Sequence, residues 1–518
     1  MTAVDISPQQ FRKLIIGLLV GLFLSSTEQS VVATALPTMA GELGGAERLS
    51  WVVSAYLLTS TIVTPLYGKL SDLFGRRPIY QLSITVFIVG TVLCGISQTM
   101  NQLIAARAVQ GLGGGGLMSL AFIILGDVVS PRERGRYIGI FTTVFTVSAV
   151  VGPLWGGALV DNAGWRWVFL AIVPVGLIAL VVTGNALKLP FATREAKIDW
   201  GGGALLTIAT TGLILMLIWG SEDAGWTSPQ VLIAGAAGIG GSVLFYFQER
   251  RAPEPVVPLH LFADRTIASV FVMGFLLMFG LIASTTFLPL LLQIGTGASA
   301  TRSGLMMIPM SIGISVSAAI MGNLVARFGR YKWTLVLGPV IASVGMALLS
   351  TIDIEVTMLT LTPILLLLGL GLGMTFPHLT LAVQNAAQPA DLGVATSGSN
   401  FFRALGGVFG AAIGGVVMAR RLDTRLVERL DGVRLDNLGG ASGLIRSPKA
   451  VQELAPDLQE VVAESVAGAV SGVFILAVPV MAAIALVALF IDEQPLRTSS
   501  QLSKATATPT EQSDAAEN

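Results

Sequence analysis

Gly68-Lys69-Leu70-Ser71-Asp72-Leu73-Phe74-Gly75-Arg76-Arg77 has a second version further along the chain, Gly322-Asn323-Leu324-Val325-Ala326-Arg327-Phe328-Gly329-Arg330-Tyr331. Five of the ten positions are identical. A second echo keeps the register. Gly152-Pro153-Leu154-Trp155-Gly156-Gly157 begins 84 residues after Gly68, and Gly406-Gly407-Val408-Phe409-Gly410 begins 84 after Gly322. Two echoes at one spacing point to two related halves. Parallel halves around a midplane site are a common build of secondary transporters.

What surrounds these stretches is apolar. The chain has 518 residues, 53% hydrophobic and 12% charged, about half the charge of an ordinary soluble domain. A membrane span needs about 20 apolar residues, and fourteen such segments are predicted. They lie near 14–37, 50–70, 79–97, 101–127, 135–160, 164–187, 199–219, 229–248, 267–292, 302–326, 332–351, 357–383, 393–420 and 465–491. They must be helices, because lipid cannot satisfy the open edge of a sheet. The first segment lacks a small-residue cleavage site and reads as a retained span. The expected fold is therefore all-α and polytopic. Residues 1–190 form a six-helix bundle, 191–262 two inserted helices, 263–495 a second six-helix bundle, and 496–518 a disordered tail.

Basic residues set the orientation. With the N-terminus inside, cytoplasmic segments hold nineteen Lys and Arg, among them Lys69, Arg76, Arg77, Arg132, Arg134, Arg136, Arg327 and Arg330, while the short external loops hold Arg48, Arg166 and Arg302. Both termini are expected in the cytoplasm and the protein in the cell membrane. The segment 421–464 becomes an external loop, expected to be a partly helical cap. Lys+Arg and Asp+Glu balance at 31 each, so bulk charge gives no reason to expect nucleic acid as a partner.

Glu28 is the most informative residue. It sits mid-span in Ser25-Ser26-Thr27-Glu28-Gln29-Ser30, and six polar residues in a row cover every side of a helix, so this stretch cannot face lipid. A carboxylate at that depth costs a few kcal/mol and marks a function or a salt bridge. It reads as a proton carrier, or alternatively as an ion-pair partner that never titrates. Arg107 in span 4 is its natural partner, since the two lie within about 4–5 Å of one depth at 1.5 Å rise per residue. The alternative for Arg107 is a guanidinium satisfied by carbonyls alone. In the loop, Gly68 and Gly75 are expected to permit tight turns, Asp72 to accept hydrogen bonds, and Arg76 and Arg77 to point to the cytoplasm. Gly152, Pro153, Gly156 and Gly157 remove a backbone donor and leave a flat face, a packing kink that could double as a hinge. Gly113 to Gly116 read as a packing face, and Cys94 as a packing residue. Gln29, Gln110, Asn400 and Arg403 are candidate lining residues of a substrate cavity. His378 is either a structural hydrogen-bonding residue or a proton relay. No metal cluster, nucleophilic triad or Walker-type phosphate loop is found, so neither an enzyme nor direct ATP drive is expected.

The loop at 68–77, Leu103-Ile104-Ala105-Ala106-Arg107-Ala108-Val109-Gln110-Gly111 in span 4, and Gly152-Pro153 with Gly156-Gly157 in span 5 together resemble the major facilitator superfamily. Trp51-Val52-Val53-Ser54-Ala55-Tyr56, Trp165-Arg166-Trp167-Val168-Phe169 and Asn400-Phe401-Phe402-Arg403-Ala404-Leu405-Gly406-Gly407 resemble marks of its 14-span drug:proton antiporter branch. That branch usually carries Asp where Glu28 stands. The resemblance implies a major facilitator fold of two six-helix bundles plus two inserted helices. It implies a coupling role for Arg107, and a latch at 68–77 that stabilises the outward-facing state through the acid and a neighbouring helix terminus. Ala326 replaces the acid in the second copy, so the latch should be asymmetric.

The expected activity is proton-coupled antiport, exporting small amphipathic or lipophilic compounds by alternating access, with protons and the bilayer as partners, no cofactor, and a monomeric protein. Glu28 is the sole acid placed deep in a span, which favours neutral or weakly charged substrates. Two alternatives stay open: a dedicated exporter of a lipid or secreted metabolite, and a transporter-like receptor that binds without transport.

Overall fold

A computed structural model describes residues 7–44, 48–187, 199–221, 225–298, 300–429 and 455–496. The tail expected to be disordered lies, but for its first residue, outside these, as does the middle of the 421–464 segment.

The first half comprises α1 (Pro8–Leu43), α2 (Leu49–Phe74), α3 (Arg76–Ile96), α4 (Met100–Val128), α5 (Pro131–Ala163) and α6 (Arg166–Ala186). Two helices follow, α7 (Trp200–Ser221) and α8 (Pro229–Glu249). The second half comprises α9 (Arg265–Gly295), α10 (Arg302–Phe328), α11 (Lys332–Leu349), α12 (Met358–Ala386), α13 (Leu392–Arg429) and α14 (Pro456–Ala488). Thirteen of these are long and apolar enough to cross a membrane. The other, α2, has 26 residues. The fold is all-helical, and the fourteen expected spans each fall on one of these helices.

Glycine shows why the halves are alike. A Cβ on Gly152 would strike Ser30, and one on Gly156 would strike Thr34, so α5 lies directly on α1. At the same interval as Gly68 to Gly322, Gly406 and Gly410 put α13 directly on the backbone of α9 at Phe275 and Phe279. Small residues let helix backbones approach closely where lipid supplies no hydrophobic drive between helices. Gly113, Gly114, Gly115 and Gly116 serve the same end in α4, packing against Phe87 of α3, Tyr56 and Ser60 of α2, and Tyr67 and Ser83. The pair α7 and α8 close on each other through Gly212 and Gly238, and Gly203 of α7 rests against Leu66 of α2.

The halves meet toward the end that carries the basic loops. Gly68 of α2 lies against Gly393 and Ser397 of α13. Its repeat counterpart Gly322 of α10 lies against Gly135 and Arg136 of α5, with Gly139 against Ala318. The same pairing, second helix on fifth helix of the other half, thus occurs twice. Polar ties reinforce it: Gln384 Nε2 donates to the Phe122 carbonyl at 2.9 Å, Arg132 Nε to the Ala326 carbonyl at 3.1 Å, and Thr146 Oγ1 meets Ser315.

Two expectations change in detail. The helix expected to end at 420 continues to Arg429, because Leu422 and Leu426 stay fully buried along one side. The last helix begins at Pro456 rather than 465, and Arg429 pairs with Glu464 across the two extensions.

Candidate functional site

The polar run of α1 is satisfied on three sides. Ser25 Oγ and the Tyr56 hydroxyl of α2 lie 3.3 Å apart. Ser26 and Thr27 reach Ser148 Oγ of α5 at 2.7 and 2.8 Å. Glu28 turns to α4, where its Oε1 accepts from Arg107 Nη1. Both side chains are essentially inaccessible, at 0% and 1%. Sequence placed these two residues at one depth, and the structure brings them into an ion pair.

Arg107 is held from several directions. Its Nε donates to the Val52 carbonyl at 2.9 Å, its Nη1 also to Gln110 Oε1 at 2.6 Å, and its guanidinium lies 4.5 Å over the Tyr56 ring. Gln110 in turn donates from Nε2 to Thr91 Oγ1 at 2.9 Å. Gln110, expected to line a cavity, is fully buried and serves as a clamp on the arginine instead. The cause is Gly90, whose missing side chain lets α3 close over Gln110. Cys94 is buried in the same layer. Glu28 Oε2 has no hydrogen-bond partner. One oxygen fixed by a guanidinium and one left open is an arrangement that can take a proton without dismantling the arginine's other contacts. Gln29, the next residue, is exposed beside Tyr56.

The 68–77 stretch differs from its expected layout in two respects. Gly68 makes no turn: it lies inside α2 and its missing side chain admits α13. The turn is made by Gly75 alone, at φ +87°, where glycine costs least. Arg76 does not point outward. It is buried, pairs with Asp72, donates from Nε to Asp127 Oδ2 at 2.7 Å and from Nη1 to Ser71 Oγ at 2.6 Å. Two carboxylates draw it inward, while Arg77 remains exposed. The Asp72 carboxylate abuts Gly393 in the first turn of α13, where a negative charge is favoured by the helix dipole. At the matching place in the other half, Ala326 offers only a carbonyl, to Arg132. Asp127, at the end of α4, was missed in the sequence. Its only signal was a lone acid in the layer that holds Arg76.

Gly152 and Gly156 pack on α1 as described, and Gly157 faces open space. His378 Nδ1 lies 2.6 Å from the Met374 carbonyl one turn earlier, a local contact within α12. Asn400 and Arg403 lie together on α13, one turn apart and buried. Arg403 Nη2 donates to Thr380 Oγ1 at 2.9 Å, Nη1 reaches Asn400 Oδ1 at 3.5 Å, and the guanidinium lies 4.6 Å over the Phe376 ring.

Two pseudo-repeated helical halves, joined at one end and carrying an ion pair deep between helices, define a membrane transporter rather than an enzyme. The chain belongs to the Major Facilitator Superfamily, whose family model matches residues 18–411. It is 36% identical over 417 residues to the multidrug transporter protein MdtP of Bacillus subtilis strain 168, covering 80% of this chain and 77% of that one. It is 32% identical over 432 residues to an MFS-type transporter of the acurin A biosynthesis cluster in Aspergillus aculeatus, covering 82% and 78%. The solved structure of the proton:xylose symporter XylE overlays with a TM-score of 0.61 at 13% identity, covering 97% of this chain and all of that one, a likeness of fold alone.

Proposed function

We propose that this transporter is a proton-coupled antiporter of the cell membrane, exporting small amphipathic or lipophilic compounds by alternating access. The observation that carries the reading is the buried Glu28–Arg107 pair, with one carboxylate oxygen held and the other unpartnered. The basic end is cytoplasmic by the distribution of Lys and Arg, which makes the contacts at Gly68–Gly393 and Gly322–Gly135 a closed cytoplasmic gate. Asp72, set against the start of α13, is its latch, and the glycines of α5 are its hinge. Proton entry from outside neutralises Glu28 and loosens its hold on Arg107. Release to the cytoplasm restores the pair. The similarity to MdtP supports multidrug efflux, with resistance to antibiotics as its consequence. The similarity to a transporter of a biosynthesis cluster favours a second reading, export of a dedicated secreted metabolite.

The test is proton flux in liposomes, with the purified protein given a panel of lipophilic cations, antibiotics, lipids and secondary metabolites. Substrate-dependent proton movement that vanishes in Glu28→Gln supports the proposal. Transport without proton movement, or binding without transport, rejects it.

A further inference from the structure

Arg403 is a buried cation without a counter-charge. The other mid-membrane guanidinium, Arg107, has Glu28. Among the described residues no carboxylate lies within ion-pair distance of Arg403, which is 2% exposed. Its partners are a threonine hydroxyl, an amide oxygen and an aromatic face. All three are neutral. Burying an unpaired charge costs several kcal/mol even after relaxation, and ionisable groups retained at this depth mark substrate or ion paths.

The surrounding donors are also incomplete. Arg403 Nε, Asn400 Nδ2 and Ser399 Oγ are buried and have no hydrogen-bond partner. All three belong to a single turn of α13. Beside them Gly274 of α9 lets the arginine pack closely against that helix: a Cβ there would come 3.0 Å from Arg403 Cγ and 3.5 Å from Nε. Unused N–H and O–H groups with a net positive charge match a carboxylate, which is acceptor-only and takes a guanidinium best. Next to them is an aromatic cluster, with Phe402 stacked on Phe271 at 5.0 Å between centroids and Phe401 set against Phe402 at 5.6 Å. The same helix begins at the cross-half contact of Gly393, so parting the halves frees the turn that precedes Asn400.

We infer that Arg403, with Asn400 and Ser399, forms a recognition site for the carboxylate of an amphipathic organic acid, so that the protein prefers anionic over isosteric neutral ligands. The inference rests on the exporter reading for its route but not for its test, since equilibrium binding needs neither a gradient nor transport. If proton coupling fails, this site stands, and the reverse holds too.

The experiment measures binding of matched pairs, 1-naphthylacetate with 1-naphthylacetamide and decanoate with decanamide, to the full chain in nanodiscs. The parent is expected to bind the acid of at least one pair ten-fold or more tightly than its amide. Arg403→Gln should bring that ratio to about one. Arg403→Lys should keep part of it, because a point charge replaces the fork. Asn400→Ala, which leaves the charge, should reduce the ratio several-fold, and it decides the question if the arginine variants do not fold. Ratios near one in the parent for both pairs overturn the inference, as does an unchanged ratio in Arg403→Gln or in Asn400→Ala. Chloride is tested at constant ionic strength with gluconate as replacement. Displacement of the acids by millimolar chloride would show an inorganic anion site and would also overturn it.

Discussion

Replacing Gly322 by valine places a branched side chain where α5 runs past α10. A single Cβ at Gly322 already collides with the Gly135 carbonyl, and lies 3.3 Å from the Arg136 amide nitrogen. Both obstacles are backbone, so no side chain can rotate away. Overpacking of this kind costs about 1–3 kcal/mol. The cost falls only on the state in which the halves touch. Valine's modest helix-propensity advantage over glycine, a few tenths of a kcal/mol, acts on α10 in both states and cancels. The equilibrium should therefore move toward the inward-open form by about five- to 150-fold, at about 1.4 kcal/mol per tenfold. Gln29→Cys provides the reporter, since this position is exposed beside Tyr56 and the native Cys94 is buried. Labelling by an impermeant thiol reagent from outside should fall in Gly322→Val. Gly240→Val in α8 is the control, because no atom lies within 4 Å of the added Cβ, and its labelling should match the parent. Unchanged labelling in Gly322→Val with an unaltered unfolding midpoint would refute the gate assignment, as would an equal fall in the control.

Glu28→Gln should remove nine-tenths or more of substrate-driven proton movement in liposomes while the protein stays folded, since Arg107 keeps Val52, Gln110 and Tyr56; full coupling would reject the role given to the acid. Arg107→Ala should destabilise by about 3–5 kcal/mol, the cost of stranding one partner of a buried pair, seen as a lowered unfolding midpoint in detergent. Adding Glu28→Gln to it should restore part of that loss, because contacting residues are non-additive; a further fall of the full single-mutant size would mean the two do not act as a pair. Gly75→Ala should cost about 1–2 kcal/mol, since its φ of +87° is glycine's territory, and the midpoint should drop accordingly; no change would show that the α2–α3 turn relaxes freely.

The repeat was legible because it is written in glycines, and glycines act through backbone approach, which depends little on context. The interval between Gly68 and Gly322 also carries Gly75 to Gly329, both at positive φ, and Gly152 to Gly406, both seated on a first helix of their half. Glu28 and Arg107 were legible for a different reason: charges are so costly at mid-membrane that matching depth nearly names the partner. What sequence did not reveal was direction. Basic loops usually point outward, and only the packed structure shows two acids, Asp72 and Asp127, converging from different helices to hold Arg76. Gln110 was read as cavity-lining because it is polar and deep, yet a polar residue deep in a bundle is as readily consumed by a buried neighbour.

The two halves share a backbone plan and differ in where they put charge. The first half neutralises its interior arginine with Glu28 and sets Asp72 against the opposite half. The second half has Ala326 in the latch position and leaves Arg403 without an acid. On the function proposed above, the ion pair in one half and the uncompensated cation in the other separate the labour, with proton binding proposed for α1 and α4 and ligand charge for α13. Both charged sites are tied by a single helix to the same contact between the halves. α4 ends at Asp127, which holds Arg76 beside Asp72, and α13 begins at Gly393, against which Asp72 rests. If Asp72 is the latch proposed above, a change at either site reaches it through one helix, a shared route from two binding events to one opening.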